Sequence, residues 1–391
     1  MSSESTESAW PRRLARLALV AAIAALGWFA YERIQSVEIP VLAGGDARLP
    51  VGVYHVTSAA SRDTAHPEQS WAKHAAAQGL DFVVVTDIDD QLAGPVTYED
   101  VTVLCAAELD TAFGRVVQLG AETVLEEKTR DRLELHSSIR GIGGTPVLSH
   151  PSDPKRPWTG PIEGAGGLEI ASFASQMRQT AGPVFLGALP SLVAYELRPS
   201  LALVQLYQRD ERALERWDAE SDPGFVGFCG ADNRGLLKPE DNLLTWQLIL
   251  DEPLDDESDA SDADQLVERL AAGRFYCAAG LFGTRPYFRF GALKGDEWAA
   301  RPGDQGVTAS EIVIFGPTAK PDPVTLILFR NGSEVARFSG EELRYRDPRP
   351  GTYRAEVRVS LPHVFWGERL VTAIYSNRIR LLPSEDPKTI R

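Results

Sequence analysis

The chain has 391 residues, of which 40 are Lys or Arg and 55 are Asp or Glu, so its formal net charge is −15 at pH 7. This length predicts two domains, or one large domain, with a sizeable core. The acidic excess excludes a dedicated nucleic-acid partner, because binding to DNA or RNA draws most of its affinity from phosphate contacts with Lys and Arg. The three cysteines, Cys105, Cys229 and Cys277, lack CxxC spacing and allow at most one disulfide bond with one thiol left over.

The N-terminal region has a basic cluster followed by an apolar run. Arg12, Arg13 and Arg16 precede an uncharged apolar segment at Leu17–Tyr31. This pattern is typical of a membrane anchor or of a cleaved signal peptide, and the absence of a small-x-small cleavage site after the run favours the anchor. Basic residues before the run place the N-terminus in the cytoplasm. We therefore expect a single-pass membrane protein whose globular part lies outside the cytoplasm.

Between about residues 51 and 290, strand-like and helix-like segments alternate. Continuous apolar strands alternating with helices predict an α/β architecture with a mainly parallel sheet. The predicted strands span residues 52–58, 82–87, 101–108, 115–119, 146–149, 167–170 and 225–229, and the predicted helices span 67–78, 125–140 and 201–219. Polar residues stand at several strand ends, where a barrel of parallel strands would bring them to one face: His55, Asp87, Glu108, His150 and Asp232.

The last hundred residues have a different pattern, with short alternating segments and no helix. The predicted strands are 308–315, 324–330, 334–338, 352–359 and 370–375. Asn331-Gly332 lies between two of them and is a strong hairpin signal. We predict a membrane anchor within residues 1–35, a linker at 36–50, a barrel over 51–290 and a small antiparallel β-sandwich over 291–391. The acidic stretch 251–264 lacks the glycine of a calcium loop, so it is interpreted as a solvated loop before a helix at 264–272.

A set of short motifs occurs in a fixed order along residues 51–240. They are Tyr54-His55-Val56-Thr57, His66-Pro67-Glu68, Gly79-Leu80-Asp81 leading to Thr86-Asp87, Ala107-Glu108, Leu148-Ser149-His150-Pro151, and Gly230-Ala231-Asp232-Asn233-Arg234. In this order they resemble the polymerase and histidinol phosphatase (PHP) family. The resemblance implies a distorted (β/α)7 barrel whose mouth holds up to three divalent metals and hydrolyses phosphoesters.

The resemblance implies metal ligands at four positions that this chain retains: His55, Glu108, His150 and Asp232. Other histidines of the family pattern are replaced here by Thr57, Ile88, Arg115 and Arg234. An isoleucine cannot coordinate a metal, and an arginine places a cation where a metal should bind. The metal site is therefore expected to be degenerate.

Two interpretations of this site remain open. In the first, Arg115 and Arg234 neutralise Glu108 and Asp232 in a salt-bridge network, and no metal is needed. In the second, one divalent metal, Zn or Mn, is held by His55, Glu108 and Asp232, with His150 as a further ligand or a proton donor.

Each interpretation predicts a different function. The salt-bridge network predicts a PHP-like protein that has lost phosphoesterase activity and binds an anionic small molecule or a partner at the barrel mouth. The single-metal site predicts a working phosphoesterase in which an arginine grips the phosphate. In both cases His150, Arg115 and Arg234 are the residues expected to act on the ligand.

Overall fold

The computed structural model describes residues 10–57, 67–90, 94–179, 194–222, 224–232, 237–255, 257–362 and 367–383. The α-helices of this part of the chain are α1 (Trp10–Ser36), α2 (Pro67–Ala77), α3 (Glu127–Arg130), α4 (Leu135–Gly141), α5 (Phe173–Gln179), α6 (Pro199–Val204), α7 (Glu211–Ala219), α8 (Pro239–Asn242) and α9 (Asp262–Ala271). The strands up to residue 278 are β1 (Val41–Leu42), β2 (Val51–Val56), β3 (Phe82–Ile88), β4 (Val96–Tyr98), β5 (Val101–Thr111), β6 (Gly114–Leu119), β7 (Thr145–Ser149), β8 (Gly167–Ser172), β9 (Val226–Gly230), β10 (Gln247–Leu250) and β11 (Phe275–Ala278).

Seven strands close into a barrel in the order β2, β3, β5, β6, β7, β8, β9. Pairing of Tyr54 in β2 with Gly230 in β9 completes the ring. The pairs are parallel except on the two sides of β6, which runs antiparallel to both β5 and β7. The structure is thus an α/β fold with a closed barrel in which one strand is reversed.

Burial explains why these segments form barrel strands. Every residue of β2 is buried, and so are the first five residues of β3. Such continuous apolar runs are typical of strands covered on both faces. Helix α2 covers β3 and β5 with Trp71, Ala72 and Ala75, which recur at the spacing of one helical face. The core therefore extends from the barrel interior to the layer of helices outside it.

The strands that follow residue 278 are mostly antiparallel. They are β12 (Arg289–Lys294), β13 (Glu297–Ala300), β14 (Gln305–Val307), β15 (Glu311–Phe315), β16 (Ala319–Lys320), β17 (Thr325–Arg330), β18 (Ser333–Ser339), β19 (Glu342–Arg346), β20 (Gly351–Pro362), β21 (Glu368–Ser376) and β22 (Ile379–Leu381). Strands β13, β12, β15 and β19 form a four-stranded antiparallel sheet. Strand β21 pairs with β11, which pairs with β10, which pairs with β2. The barrel therefore shares one hydrogen-bonded sheet with six of the C-terminal strands, β14, β17, β18, β20, β21 and β22.

Two long helices expected from the sequence are each divided in the structure. The predicted helix at 125–140 consists of α3 and α4, and the predicted helix at 201–219 consists of α6 and α7. The second division has a clear cause, because the Asp210 carboxylate accepts a hydrogen bond from the Ala213 backbone amide and so begins α7. Apolar residues continue at helical spacing across this break, so the sequence pattern does not reveal the break.

One disulfide bond, Cys229–Cys277, joins β9 to β11. Cys105 is a buried free thiol. The sequence allowed one bond with one thiol left over, and the structure confirms it. The bond links the last barrel strand directly to the strand that connects the barrel with the C-terminal part.

Helix α1 is long and apolar enough at Leu17–Ser36 to cross a membrane. Its large apolar side chains between Leu17 and Phe29 are exposed, whereas Ile34 near its end and Val37 just after it are buried in the core. The Arg198 guanidinium donates hydrogen bonds to the carbonyl oxygens of Ile34 and Val37 at 2.8 and 2.7 Å. The end of the helix is therefore fixed to the globular part.

Candidate functional site at the ends of the barrel strands

Two histidines stand where parallel strands end, and their rings face each other. His55 is the last residue but one of β2, and His150 follows β7 directly. Both side chains are buried, and the ring centroids are 4.9 Å apart. Both residues have positive φ, 63° and 49°, a conformation that is uncommon for residues with a Cβ and is often found at functional sites. The backbone thus turns both imidazoles into the same space.

Glu108 on β5 is the buried carboxylate that joins these histidines to Arg115. Its Oε2 accepts a hydrogen bond from Arg115 Nη1 at 3.0 Å, and its Oε1 accepts one from Ser149 Oγ at 2.8 Å. The same Oε1 lies 3.4 Å from His55 Nε2 and 3.7 Å from His150 Nε2. Burial by itself raises the pKa of Glu108, but the His55 imidazole, His150 and Arg115 outweigh it and lower the pKa to about 2. Glu108 is therefore ionised at neutral pH.

Glu169 on β8 is a third buried carboxylate that the sequence analysis missed. Its Oε1 is hydrogen-bonded to His55 Nδ1, and its Oε2 accepts from the His150 backbone amide at 2.8 Å. Oε2 also lies 3.2 Å from His150 Nδ1. The available signal was an acidic residue inside an apolar strand, between Leu168 and Ile170, where an unpaired carboxylate would be costly.

Asp232 completes the cluster beyond the end of β9. Its Oδ2 lies 3.1 Å from His150 Nε2, while His150 Nδ1 lies 2.9 Å from Ser172 Oγ. The structure thus brings together His55, Glu108, Arg115, His150 and Asp232, all of which the sequence placed at the site. Arg234 lies outside the described residues.

The other positions at which the family histidines are replaced do not add ligands. Ile88 ends β3 and is 44% exposed, and Thr57 is half-buried after β2. Neither residue belongs to the group of side chains whose ligand atoms converge, which among the described residues is His55, His150 and Glu169.

The residues present fit one divalent cation. His55, His150 and Glu169 offer ligand atoms that all lie within 4.8 Å of one another. His55 Nε2 is buried and makes no hydrogen bond of good geometry in the described part of the chain, with Glu108 Oε1 3.4 Å away, so a cation bound there would satisfy it. Imidazole nitrogens and carboxylate oxygens are common ligands of divalent metals in proteins.

Charge is the second test of this fit, and it changes the interpretation from the sequence. In that interpretation two arginines balance two carboxylates. Glu169 brings the number of buried carboxylates in the cluster to three, and Arg115 is the one arginine of the cluster within the described residues. A further positive charge from Arg234 would still leave one negative charge. The cluster can reach neutrality by binding a cation or by protonating an imidazole. Burial lowers the pKa of His55, but Glu169 and Glu108 outweigh it and raise that pKa well above its ordinary value.

Arg115 retains donors that Glu108 does not use. Its side chain is 13% exposed, and its Nε is buried without a hydrogen-bond partner within the described ranges. A guanidinium presents five N–H donors in a planar fork that matches carboxylate and phosphate oxygens. Arg115 can therefore hold Glu108 and also contact an anion beside the cluster.

Comparison with known proteins gives a remote likeness. No protein-family model and no curated protein matches the sequence. A similar solved structure is a two-domain protein from Bacteroides vulgatus, described as containing a predicted PHP-like metal-dependent phosphoesterase. The two chains are 10% identical with a TM-score of 0.38, over 86% of this chain and 98% of the other. At this identity and TM-score the likeness does not assign the chain to a family.

Proposed function

We propose that this chain is a membrane-anchored, extracytoplasmic PHP-like protein whose barrel site has one cation position and binds an anionic ligand instead of hydrolysing phosphoesters. In this proposal residues 51–290 form the PHP-like (β/α)7-type barrel and residues 291–391 form a β-sandwich attached to it. The observation that carries the proposal is the ion pair of Arg115 with Glu108, at the place where the family resemblance implies a metal-binding histidine.

The ion pair limits the number of cations that the site can hold. A divalent cation bound to Glu108 Oε2 would lie beside the Arg115 guanidinium, and like charges at such a distance repel strongly in a buried site. His55 and His150 lie near Glu108 Oε1, whereas Arg115 bonds Oε2, and neither these histidines nor Glu169 has an arginine among its described contacts. One cation position therefore remains on the histidine side, and Arg115 occupies the opposite side.

The chain's own residues account for anion binding. The free donors of Arg115 attract a phosphate-like or carboxylate group, and the guanidinium remains charged at any pH at which the protein is folded. Glu169 Oε1 is hydrogen-bonded to His55 Nδ1, and His55 Nε2 lies 3.4 Å from Glu108 Oε1, so the two carboxylates fix the orientation of this imidazole. A bound divalent cation would supply a second positive charge for the same anion.

A disulfide bond and an apolar helix support the proposed location. Disulfide bonds persist in oxidising compartments outside the cytoplasm, and Cys229–Cys277 joins two core strands. Helix α1 at Leu17–Ser36 has the length of a membrane span.

A second candidate function is phosphoester hydrolysis with the single cation. The observation that favours it is the third carboxylate, because three buried acids attract a divalent cation more strongly than the two that the sequence suggested. In this candidate the cation is held by His55 and Glu169, and His150, placed between Asp232 and Ser172, would hold or release the proton of the leaving group.

The test is to measure metal content and hydrolysis on the full chain purified in detergent. After incubation with Zn²⁺ or Mn²⁺ and removal of the excess, elemental analysis is expected to find one metal ion per chain. Glu169→Gln is expected to lose this ion, because it removes one of the converging ligands and one negative charge. Glu311→Gln is the matched control, since Glu311 is a partly buried carboxylate on β15 paired with Arg344.

Hydrolysis separates the two candidates. The proposal expects the metal-loaded chain to hydrolyse p-nitrophenyl phosphate no faster than its Asp232→Asn variant. Hydrolysis that Asp232→Asn abolishes would establish the second candidate. Absence of metal in the wild-type chain under these conditions would contradict the cation position in both.

A further inference from the structure

A groove outside the barrel site lies at the base of helix α1. It is lined by the residues that follow the helix, by Arg198 and the start of α6, and by Lys320 of β16. None of the residues of the barrel cluster lines it. The groove is open to solvent along one side, so it suits one part of a larger molecule.

The groove begins at the level at which a membrane surface would lie. Ser36 ends the segment of α1 that is long enough to cross a membrane. The headgroup layer adds about 5–7 Å to each side of the hydrocarbon core. Glu38 follows two residues after Ser36, and two residues span about 7 Å at most. If α1 is a membrane anchor, the groove therefore lies beside the lipid headgroups.

Hydrogen bonds fix the groove to the end of the helix. Arg198 Nη1 donates to the carbonyl oxygens of Ile34, Gln35 and Val37. Val41 in β1 pairs with Lys320 in β16, which joins two walls of the groove. The groove therefore keeps its position relative to α1.

The groove has positive charges that no described residue neutralises. Arg198 is half-buried, and its Nε and Nη2 make no hydrogen bond in the described part of the chain. Lys320 is exposed and forms no ion pair with a described residue. Glu38 is exposed and unpaired in the same sense, so the groove carries one net positive charge. The groove thus differs in sign from the chain as a whole, whose formal net charge is −15.

The rest of the groove wall is mainly apolar. Ile39 and Leu281 are partly buried against the core, and Val41 is 61% exposed. Contact with the glycerol and acyl carbons of a lipid would remove this apolar surface from water, which is favourable. A free anion would satisfy the cations but would leave this surface exposed.

We propose that this groove binds the phosphodiester of an anionic phospholipid from the leaflet at the end of α1. Arg198 and Lys320 contact the phosphate oxygens, and the glycerol backbone lies against Ile39 and Val41. A headgroup with one negative charge neutralises the groove. This inference rests on the membrane anchor of the proposed function and is independent of the barrel site.

The test is native mass spectrometry of the full chain in detergent, titrated with palmitoyl-oleoyl phosphatidylglycerol. The wild-type chain is expected to bind one lipid more tightly than any further lipid. Lys320→Gln is expected to weaken this binding about fivefold, because it removes one of two cations near the phosphate. Lys320 is exposed, and its replacement leaves the contacts of Arg198 with α1 in place, so this variant is expected to fold.

The matched control is Lys294→Gln, because Lys294 is an exposed lysine on β12 that does not line the groove. It is expected to bind the lipid with unchanged affinity. Phosphatidylcholine with the same acyl chains has no net charge and is expected to bind at least fivefold more weakly. Glycerol 1-phosphate, which lacks acyl chains, is expected not to displace the lipid at equal concentration.

Three results would overturn the proposal. Equal affinity of Lys320→Gln and wild type would show that the lipid is held elsewhere, for example along α1. Equal affinity for phosphatidylcholine would remove the role of charge, and displacement by glycerol 1-phosphate would identify a free phosphate as the occupant. Binding in detergent depends neither on the side of the membrane on which the barrel lies nor on its metal, so failure of the proposed function would leave this result unchanged.

Discussion

Gly230, at the end of β9, is a single residue that decides whether Glu169 can face the histidines. A Cβ atom at this position would lie 2.5 Å from Glu169 Oε1 and 3.5 Å from the Cβ of His55. Because β9 pairs with both β8 and β2, the backbone at Gly230 has little freedom to move away. The third carboxylate of the site therefore depends on a residue that has no side chain.

Gly230→Ala is accordingly expected to displace the Glu169 carboxylate and to lower the free energy of unfolding by about 1–3 kcal/mol, the usual cost of overpacking a core. Metal retention should fall in the same variant. Urea unfolding followed by circular dichroism measures the first effect, and elemental analysis measures the second.

Gly141→Ala is the matched control, since a Cβ there would meet nothing within 4 Å. It is expected to leave both quantities unchanged or to stabilise the chain slightly. A Gly230→Ala variant as stable as wild type, with its metal retained, would show that Glu169 does not need this space.

Much of the site at the residue scale could be predicted from the sequence. His55, Glu108, His150 and Asp232 were found because each stands at or near a strand end, where parallel strands bring side chains to one face. Glu169 was missed because it lies inside its strand, and a strand position alone does not say whether a side chain faces a filled core or a polar site. The left-handed turns at His55 and His150, which aim the rings at each other, leave no trace in the residue types.

At the scale of elements, a buried carboxylate holds the C-terminal strands to the helices. Glu356 on β20 is bound by Arg354 at 2.7 Å, by Arg209 at 2.9 Å and by Arg358 at 2.7 Å. Arg354 also pairs with Asp218 on α7. Burial raises the pKa of Glu356, but the three guanidiniums outweigh it and lower the pKa from 4.5 to about 2.

This shift predicts an acid-dependent loss of stability. The folded state binds the proton of Glu356 at lower pH than the unfolded chain does, so the stabilisation is present above pH 4.5 and is lost as the pH falls towards 2. Its size is on the order of 3 kcal/mol. Glu356→Gln is expected to cost about 3–5 kcal/mol at pH 7, because it removes a carboxylate shared by three arginines, of which Arg354 is buried, and to reduce the acid dependence.

The measurement is the free energy of unfolding in urea between pH 7 and pH 3. Because the pKa of Glu108 is also about 2, the variant is expected to retain part of the dependence of the unfolding free energy on pH. Glu334→Gln is the control, because Glu334 pairs with Arg337 on the exposed strand β18 and solvent screens that pair. Equal acid slopes in wild type and Glu356→Gln would exclude Glu356 as a source of the acid sensitivity.

The sequence predicted most elements but less of their arrangement. Barrel strands were recognisable because buried strands are continuous apolar runs, and the hairpin at Asn331-Gly332 was recognisable from its turn residues. The direction of β6 could not be predicted, because an apolar run has the same pattern in either orientation. The pairing of β11 with β21 joins segments about a hundred residues apart, and no local pattern specifies such a partner.

At the scale of the whole molecule, helix α1 and the globular part form one unit. Arg198 donates to the carbonyl groups of Ile34, Gln35 and Val37 at the end of α1, and the side chains of Ile34 and Val37 are buried in the core. If α1 crosses a membrane, this contact holds the barrel close to the membrane surface in a defined orientation. Export and anchoring are therefore properties that can be tested on the intact chain.

We expect the C-terminus to lie outside the cytoplasm and the chain to stay attached through α1. The physical reason is the asymmetry of charge, since Arg12, Arg13 and Arg16 precede the apolar run and acidic residues predominate after it. Alkaline phosphatase fused after Arg391 should be active in cells, whereas β-galactosidase fused there should not. The fusion should sediment with membranes at full mass, and thiol labelling after denaturation should report one free cysteine, Cys105.

Replacing the three arginines with glutamates is the control, and it should abolish the phosphatase signal. Activity of β-galactosidase alone would contradict export and the proposed location together, whereas a shortened, freely soluble chain with active phosphatase would contradict the anchor but leave export intact.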